Sequence, residues 1–142
     1  MARSWEEKVF QKRNLKSRQF KSHFGGMLQV QKMLIPSPNI IQNYINQIDP
    51  GCVSDVEIMR NDLAIEYGTD FTCPMTTGIF LRIVAEYNYE RLDRNNNNEI
   101  CPFWRIIDPS SKLSEKLSFN KEFIINKRDE EENLTWVMCF PV

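Results

Sequence analysis

The sequence contains a single histidine, His23, and its four cysteines are too widely spaced to form a C-x-x-C pair. A structural zinc site needs clustered sulfur and nitrogen ligands, so neither a metal site nor a thioredoxin-like motif is expected. A histidine-dependent catalytic apparatus would have to use His23, which lies in a basic N-terminal stretch. The sequence therefore favours a protein without a metal, a cofactor or a histidine-based active site.

Long apolar runs are also lacking. No run approaches the roughly 20 residues that span a bilayer, and the N-terminal "MARSWEEKVFQKR" has no apolar signal core. This pattern predicts a cytoplasmic protein. In a reducing compartment the cysteines are expected to be free, buried thiols; they are Cys52, Cys73, Cys101 and Cys139.

The charge is distributed unevenly along the chain. Residues 1–35 carry eight basic and two acidic residues, whereas residues 36–107 carry five basic and ten acidic residues. The basic leader suggests a phosphate-tracking arm or an intramolecular electrostatic clamp, and a solvated tail is the simpler alternative. We expect residues 1–35 to form an extended or partly helical leader that packs on or flanks the core. Residues 36–142 are expected to form one folded domain.

Capping and breaking residues predict the first two helices. Ser37-Pro38 opens a run of apolar residues at helical spacing that ends before Pro50-Gly51. The stretch from Ser54 to Glu57 reads as a capping box, which predicts a second helix ending at Gly68.

A third helix is predicted from Pro74 to about residue 91, with an apolar stripe that includes Phe80 and Val84. Another stripe, roughly opposite, is expected to face away from the core; it consists of Met75, Gly78, Arg82 and Glu86.

The C-terminal third is harder to assign. Asn95–Asn98 reads as a solvated turn, and "ICPFWRII" at 100–107 as a strand or loop. Residues 119–132 favour a helix, with a strand at 123–125 as the alternative, and Leu134 to Phe140 favours a strand. The expected fold class is α+β, mainly α, with a small β element.

The two helices at 54–67 and 74–91 have the dimensions of a helix-turn-helix, in which the second would be the recognition helix. Gly78 allows close approach of a phosphate, and Arg82 can pair with one. Three threonines add hydroxyl donors at the start of this helix; they are Thr72, Thr76 and Thr77. The alternative is an ordinary solvated helix, which the acidic middle region favours.

Three segments in order, "DPGCVSDVEIMRNDLA", "TCPMTTGIFLRIVAE" and "CPFWRII", give residues 36–132 a resemblance to a known family. The chain resembles the DNA-binding domain of O6-alkylguanine-DNA alkyltransferases and alkyltransferase-like proteins. The resemblance implies a winged-helix-like helix-turn-helix that enters the minor groove and a recognition-helix arginine that replaces a flipped base. A Pro-Cys-His-Arg motif in that family takes the alkyl group. Alkyltransferase-like proteins carry tryptophan for that cysteine and bind lesions without repairing them.

In this chain the motif reads Pro102-Phe103-Trp104-Arg105, which puts Phe103 at the acceptor position and Trp104 at the histidine position. The arginine-finger position falls on Met75, and the groove-tyrosine position falls on Val56. Val84 lies nearest to the family's helix asparagine. The resemblance therefore implies a protein without alkyl transfer, unless Cys101 substitutes as the acceptor.

The resemblance also implies a base pocket, formed by Val56, Pro102, Phe103, Trp104 and Arg105. Phe103 and Trp104 would offer faces for stacking a base, and Met75 would act as an apolar wedge between base steps. Alternatively, both rings pack beneath the recognition helix and Arg105 braces the loop through backbone carbonyls.

The leading hypothesis is a non-enzymatic protein that binds double-stranded DNA, with alkylated or flipped bases as its expected targets in repair. A second hypothesis is a protein-interaction module on the same scaffold that does not bind DNA. A third is a cryptic alkyltransferase that uses Cys101.

Overall fold

The computed structural model describes residues 16–24, 27–93 and 100–139, with side chains described at 31–92 and 100–133. The described part is α+β and mainly helical, as the sequence predicts. Its elements in chain order are β1 (Lys16–Phe24), β2 (Met27–Ile35), α1 (Pro38–Asn46), α2 (Val56–Glu66), β3 (Phe71–Thr72), α3 (Pro74–Asp93), a 3₁₀ helix (Phe103–Arg105), α4 (Lys112–Lys116) and α5 (Glu122–Cys139).

The sheet joins the N-terminal region to the rest of the domain. β1 pairs with β2 in antiparallel orientation, and β2 pairs with β3 in parallel orientation. The Lys32 and Asp70 backbones are linked, since Asp70 N–H donates to the Lys32 carbonyl at 2.9 Å. The Cys73 N–H donates to the Leu34 carbonyl, also at 2.9 Å. The predicted leader is therefore a β-hairpin over residues 16–24 and 27–35, fixed to the backbone just before α3. Residues 1–15 and 25–26 lie outside the described residues.

The first two helices begin with side-chain caps. The Ser37 hydroxyl accepts a hydrogen bond from the Ile40 N–H at 3.3 Å, with Pro38 as the first helical residue, as predicted. In α2 the cap is Asp55, whose carboxylate accepts from the Ile58 N–H at 2.8 Å. The predicted Ser54 capping box is wrong, because Ser54 N–H donates instead to the Arg105 carbonyl at 2.8 Å. An ionised carboxylate at a helix N-terminus is also favoured by the helix dipole.

The C-terminal helix is longer than predicted. α5 continues from Glu122 to Cys139, so the predicted strand at Leu134–Phe140 is wrong for its described residues, and so is the strand alternative at 123–125. No glycine or proline interrupts this stretch, and extending an existing helix costs less than starting a new element. The short helix α4, capped by the Ser111 hydroxyl, lies between the 3₁₀ segment and α5. The asparagine run at 95–98 lies outside the described residues.

The core lies around α3 and includes residues from α1, α2, the 3₁₀ segment and α5. Phe103 is the largest of the side chains that are fully buried. The others include Leu34, Ile41, Ile45, Met59, Leu63, Leu81, Val84 and Ile124. The core thus fixes the Pro102–Arg105 motif against α3. Within the described residues, no helix has the length and apolar character needed to cross a bilayer.

Candidate functional site

One side of the first two turns of α3 faces outward. Met75 is 73% exposed and Ile79 is 52% exposed. An added Cβ at Gly78 would meet nothing within 4 Å. The prediction that Met75 and Gly78 face away from the core is therefore confirmed, and the helix start offers an open apolar surface.

This outward face ends within the helix. Glu86 is only 2% exposed, and its carboxylate accepts hydrogen bonds from the Ser118 N–H at 2.6 Å and the Ser118 hydroxyl at 2.5 Å. The prediction that Glu86 faces outward is wrong, because the segment between α4 and α5 covers it. Arg82, one turn earlier, is half-buried, and its Nε has no hydrogen-bond partner in the part of the chain that the structure describes.

Two of the three predicted threonines are not available as hydroxyl donors. Thr72 is 2% exposed and donates to the Arg60 carbonyl at 2.8 Å, while Thr77 is fully buried and donates to the Cys73 carbonyl at 2.6 Å. The prediction of free hydroxyls at these positions is wrong, because buried hydroxyls are satisfied by nearby carbonyls. Thr76 differs, since its Oγ1 is buried without a partner among the described residues.

The hairpin brings basic sequence close to the start of α3. Arg18 pairs with Met33 across β1 and β2, and Met33 pairs with Phe71 across β2 and β3. Two strand spacings put the Arg18 backbone roughly 10 Å from β3, which ends two residues before α3. Lys16 lies two residues earlier on β1, opposite Ile35. Strand β2 of the hairpin therefore lies beside the strand that leads into α3, and Lys16 and Arg18 lie on the strand beyond it.

The aromatic motif is mostly core. Phe103 is fully buried, with its ring centroid 5.4 Å from Trp104, 5.6 Å from Phe119 and 5.9 Å from Phe123. The expectation that Phe103 offers a stacking face is therefore wrong. Trp104 is 8% exposed, and the Lys127 ammonium lies 5.6 Å from the centre of its ring. Of the two adjacent rings, Trp104 alone lines a pocket described below.

Arg105 braces the motif, as the alternative reading expected. Its Nε and Nη2 donate to the Glu131 carboxylate at 2.9 and 2.7 Å, and its Nη1 donates to the Ile48 carbonyl at 2.5 Å. Burial opposes ionisation of Glu131, but the hydrogen bonds and the charge of Arg105 hold its pKa below the usual range. The Trp104 Nε1 itself does not reach standard hydrogen-bond geometry with a described residue.

A second arginine from α5 was not anticipated from the sequence. Arg128 Nε donates to the Trp104 carbonyl at 2.6 Å, and its Nη2 donates to the Ile107 carbonyl at 2.8 Å. Because a carbonyl in an irregular segment lacks a regular partner, a long forked donor from a neighbouring helix can satisfy it. Nothing in the local pattern around Arg128 distinguishes it from a surface residue.

A pocket of about 610 Å³ lies beside the motif. Its lining consists of Gln42, Asn46, Arg91, Ile100, Pro102, Trp104 and Arg105. Three predicted base-pocket residues thus share a cavity, namely Pro102, Trp104 and Arg105. The structure does not bring Phe103 or Val56 to it: Val56 is partly buried at the start of α2 and packs against the core.

The pocket and the outward face of α3 are separate. α3 contributes Arg91 to the pocket, whereas Met75 lies 16 residues earlier in the same helix. At about 1.5 Å per residue this is roughly 24 Å along the axis, and the two positions are roughly 160° apart around it. α3 is therefore long enough to separate Met75, at the start of the outward stripe, from the pocket beside Trp104.

Asn88 is the residue that sequence reasoning missed. It is fully buried in α3, where its Oδ1 accepts from the Cys101 N–H at 3.0 Å. Its Nδ2 donates to the Val84 carbonyl at 2.8 Å and to the Gln42 Oε1 at 3.2 Å. The sequence comparison placed Val84 nearest to the family's asparagine, one helical turn earlier. The sequence feature that could have identified Asn88 is its position as an asparagine within an otherwise apolar face of α3.

The cysteines divide by burial. Cys101 is 2% exposed, and burial raises the pKa of its thiol to about 12 although the charge of Arg105 opposes the shift. Cys52 is exposed, so the expectation of buried thiols is wrong there and confirmed for Cys101. A thiol with so high a pKa is a poor nucleophile at neutral pH.

No protein-family model, curated protein or solved structure matches this chain.

Proposed function

We propose that the chain is a non-enzymatic, winged-helix-like protein that binds double-stranded DNA, as its resemblance to alkyltransferase-like proteins suggests. The DNA-contacting surface consists of the first turns of α3 and the β1–β2 hairpin. The observation that carries the proposal is the register of the sheet. It sets Lys16 and Arg18 of β1 opposite Ile35 and Met33, next to the strand that leads into α3.

The exposed start of α3 supports the proposal sterically. α2 and α3 are consecutive helices, as in a helix-turn-helix, although residues 67–73 between them include the strand β3. Gly78 leaves room for a backbone phosphate, and the exposed Met75 and Ile79 offer apolar contact with sugars or base edges. Arg82 adds a cation within one turn of Gly78.

The positive charge of the β1–β2 hairpin also supports DNA binding. Phosphate neutralisation dominates the affinity for DNA, and residues 36–107 carry a net negative charge that opposes it. We expect Lys16 and Arg18 of β1 to offset this charge near the exposed start of α3. Binding to DNA therefore depends on the hairpin and weakens steeply with salt.

The distance between Met75 and the pocket beside Trp104 limits how the chain can bind a displaced base. A base displaced by Met75 would have to travel roughly 24 Å along α3 to enter the pocket beside Trp104. The chain therefore binds the duplex through the exposed face of α3 and recognises alkylated bases at that face, without capturing them in this pocket. Absence of alkyl transfer is part of the proposal, because Phe103 stands at the acceptor position and the Cys101 thiol is buried.

Fluorescence anisotropy with a labelled duplex tests the proposal. At low salt the wild type should bind, and the Lys16→Ala/Arg18→Ala variant should bind more weakly. Each phosphate that the variant no longer neutralises should reduce the slope of log affinity against log salt by roughly 0.9. Arg82→Ala should also weaken binding, whereas Lys121→Ala, at an exposed lysine before α5, should have little effect. Absence of wild-type binding at low salt would contradict the proposal.

A protein-interaction module is the second candidate, favoured by the surface of α2. Ile58 and Ile65 are 48% and 80% exposed on this helix, two turns apart. Acidic residues flank them, namely Glu57, Asp62 and Glu66, and this combination repels DNA but suits a basic protein surface. The test is an Ile58→Asp/Ile65→Asp variant in affinity capture. A partner that the variant loses while its DNA affinity stays unchanged would support this candidate; identical partners would contradict it.

A further inference from the structure

One side of α2 is apolar and exposed, although the other side is buried in the core. Ile58 and Ile65 are 48% and 80% exposed, and their spacing puts them on the same side of the helix, two turns apart. Met59 and Leu63 lie on the other side and are almost fully buried. With that buried side α2 packs against β2, β3 and α3. The side that carries Ile58 and Ile65 therefore points away from the sheet.

Acidic side chains surround this apolar pair. Glu57, Asp62 and Glu66 are all exposed, and the only basic residue within α2 is the half-buried Arg60. We call Ile58, Ile65 and these three acidic residues the outer face of α2. An apolar contact with a rim of carboxylates fits a partner surface that is apolar and has a rim of ammonium groups.

The β1–β2 hairpin has the complementary composition. Residues 16–35 contain four lysine or arginine residues and no acidic residue. Lys32 pairs with Gln19 across the two strands, and Lys21, two residues further along β1, pairs with Val30. Because side chains alternate along a strand, Lys21, Lys32 and Val30 lie on one face of the hairpin. This face combines basic and apolar residues, whereas the outer face of α2 combines acidic and apolar residues.

The distal hairpin, which we define as residues 19–24 and 27–32, extends beyond the rest of the sheet. β2 pairs with β3 at Met33 and Leu34, and next to this pairing the Lys32 N–H donates to the Asp70 carboxylate at 2.6 Å. Met27 lies five residues before Lys32, which at about 3.3 Å per residue is roughly 17 Å along the strand. Since β2 runs parallel to β3, the distal hairpin projects away from the start of α3.

Within one chain the two complementary surfaces lie on opposite sides of α2. The sheet that the hairpin extends packs against the buried side of α2, whereas Ile58 and Ile65 lie on the exposed side. A hairpin that continues this sheet cannot cover the outer face of its own α2. Two copies can satisfy each other, because each chain carries both surfaces and a two-fold axis closes the exchange.

We infer that the outer face of α2 binds a second copy of this chain, and that the distal hairpin of that copy covers it. In the two-fold dimer each distal hairpin lies on the outer face of α2 in the other copy. The inference rests on the second candidate function, in which α2 forms a protein interface. It does not depend on DNA binding, since Lys16 and Arg18 lie at the base of the hairpin, outside the distal part.

Charge-reversal variants of the full chain test this dimer by analytical ultracentrifugation without DNA. Glu57→Lys/Glu66→Lys makes the outer face of α2 basic, and Lys21→Glu/Lys32→Glu makes the distal hairpin acidic. The wild type should dimerise at low salt and dissociate as the salt concentration rises. Each variant alone should dimerise at least about tenfold more weakly, because like charges then face each other at both contacts.

An equimolar mixture of the two variants is the decisive sample. In the mixed dimer the basic hairpin of one variant meets the acidic α2 of the other, and the acidic hairpin meets the basic α2. Both contacts are thereby restored, so the mixture should dimerise to within about threefold of the wild type. Restored dimerisation also shows that both variants are folded. Glu115→Lys/Asp129→Lys is the matched control, since it makes the same charge change at exposed positions of α4 and α5, and it should dimerise like the wild type.

Three outcomes would overturn the inference. The wild type could remain monomeric at low salt, or the mixture could remain as weak as its components. The charge reversals could also change the thermal stability of a monomer without changing its mass, which would place the hairpin on α2 of its own chain. None of these outcomes removes the second candidate function, because affinity capture with Ile58→Asp/Ile65→Asp tests the α2 surface for other partners.

Discussion

Arg105 and Glu131 form an ion pair that joins the 3₁₀ segment to α5, with Nη2 and Oε1 separated by 2.7 Å. Their side chains are only 12% and 14% exposed. Arg105 also donates to the Ile48 carbonyl after α1, so one guanidinium links three parts of the fold. Since the same residue lines the pocket, the shape of the pocket depends on this pair.

Glu131→Gln should destabilise the fold by about 1–3 kcal/mol, because Arg105 would keep its charge in a largely buried place without a counter-ion. Urea unfolding at pH 7, followed by circular dichroism, measures the loss. Glu130→Gln provides the control. Glu130 is 64% exposed and, within the described residues, pairs with Lys127 at 3.6 Å, so its substitution should change the unfolding free energy by less than about 0.5 kcal/mol.

The effect of Glu131→Gln should depend on pH. The pKa of Glu131 is lowered from its ordinary value of 4.5 in the folded state, so the unfolded chain binds the proton more tightly than the folded chain. The stabilisation is therefore complete above about pH 5 and is lost as the pH falls below 4.5 through the folded-state pKa. The difference in unfolding free energy between wild type and variant should shrink over this range. A difference that stays constant down to pH 3 would contradict the assignment.

Two glycines with equally open surroundings should respond in opposite ways to alanine. Gly78 lies within α3, so Gly78→Ala should stabilise the fold by roughly 0.5–1 kcal/mol. Gly68 follows α2 with φ of +66°, so Gly68→Ala should destabilise it by about 1 kcal/mol. Thermal unfolding of the two variants measures this difference in stability. If DNA approaches Gly78 closely, Gly78→Ala should also weaken duplex binding despite its higher stability.

Phe103 and Met75 were both singled out in the sequence as base-contacting residues, and the structure separates them. Phe103→Ala should cost about 3–5 kcal/mol, because it empties a fully buried aromatic site. Met75→Ala should change stability by less than about 0.5 kcal/mol, because the side chain is 73% exposed. Denaturant unfolding of both variants measures this contrast. Weaker DNA binding by Met75→Ala at unchanged stability would support its place in the interface.

Local signals predicted the elements that local physics determines. Ser37-Pro38, Pro74 and Gly68 mark helix ends through capping, a fixed φ and a positive φ, and the structure has each in its predicted place. The outward positions of Met75 and Gly78 followed from helical periodicity alone. The α+β class was predictable for the same reason.

The remaining features depend on contacts distant in sequence. β1 and β2 have mixed polarity, and the pairing of β2 with β3 joins residues 38 positions apart. The burial of Glu86 requires Ser118, and the role of Asn88 requires Gln42 and Cys101. Periodicity along one helix cannot identify a side chain that another segment covers.

Asn88→Leu should destabilise the fold by about 2–3 kcal/mol, because the buried Cys101 N–H would lose its acceptor and the Gln42 amide its fixed orientation. Asn43→Leu is the matched control, since Asn43 is exposed on α1, and it should change stability by less than about 0.5 kcal/mol. Equal effects of the two substitutions on the urea midpoint would show that the Asn88 network contributes nothing beyond side-chain size.

Alkylating reagents should modify exposed thiols faster than buried ones. Burial raises the pKa of Cys101 to about 12, so at pH 8 only roughly one thiol in ten thousand is ionised. Iodoacetamide should therefore modify the exposed Cys52 within minutes and leave Cys101 intact in the folded chain, as peptide mapping by mass spectrometry would show. Both should react in urea. Incubation with O6-methylguanine DNA should leave Cys101 unmodified, and a methyl adduct on it would establish alkyl transfer and contradict the non-enzymatic assignment.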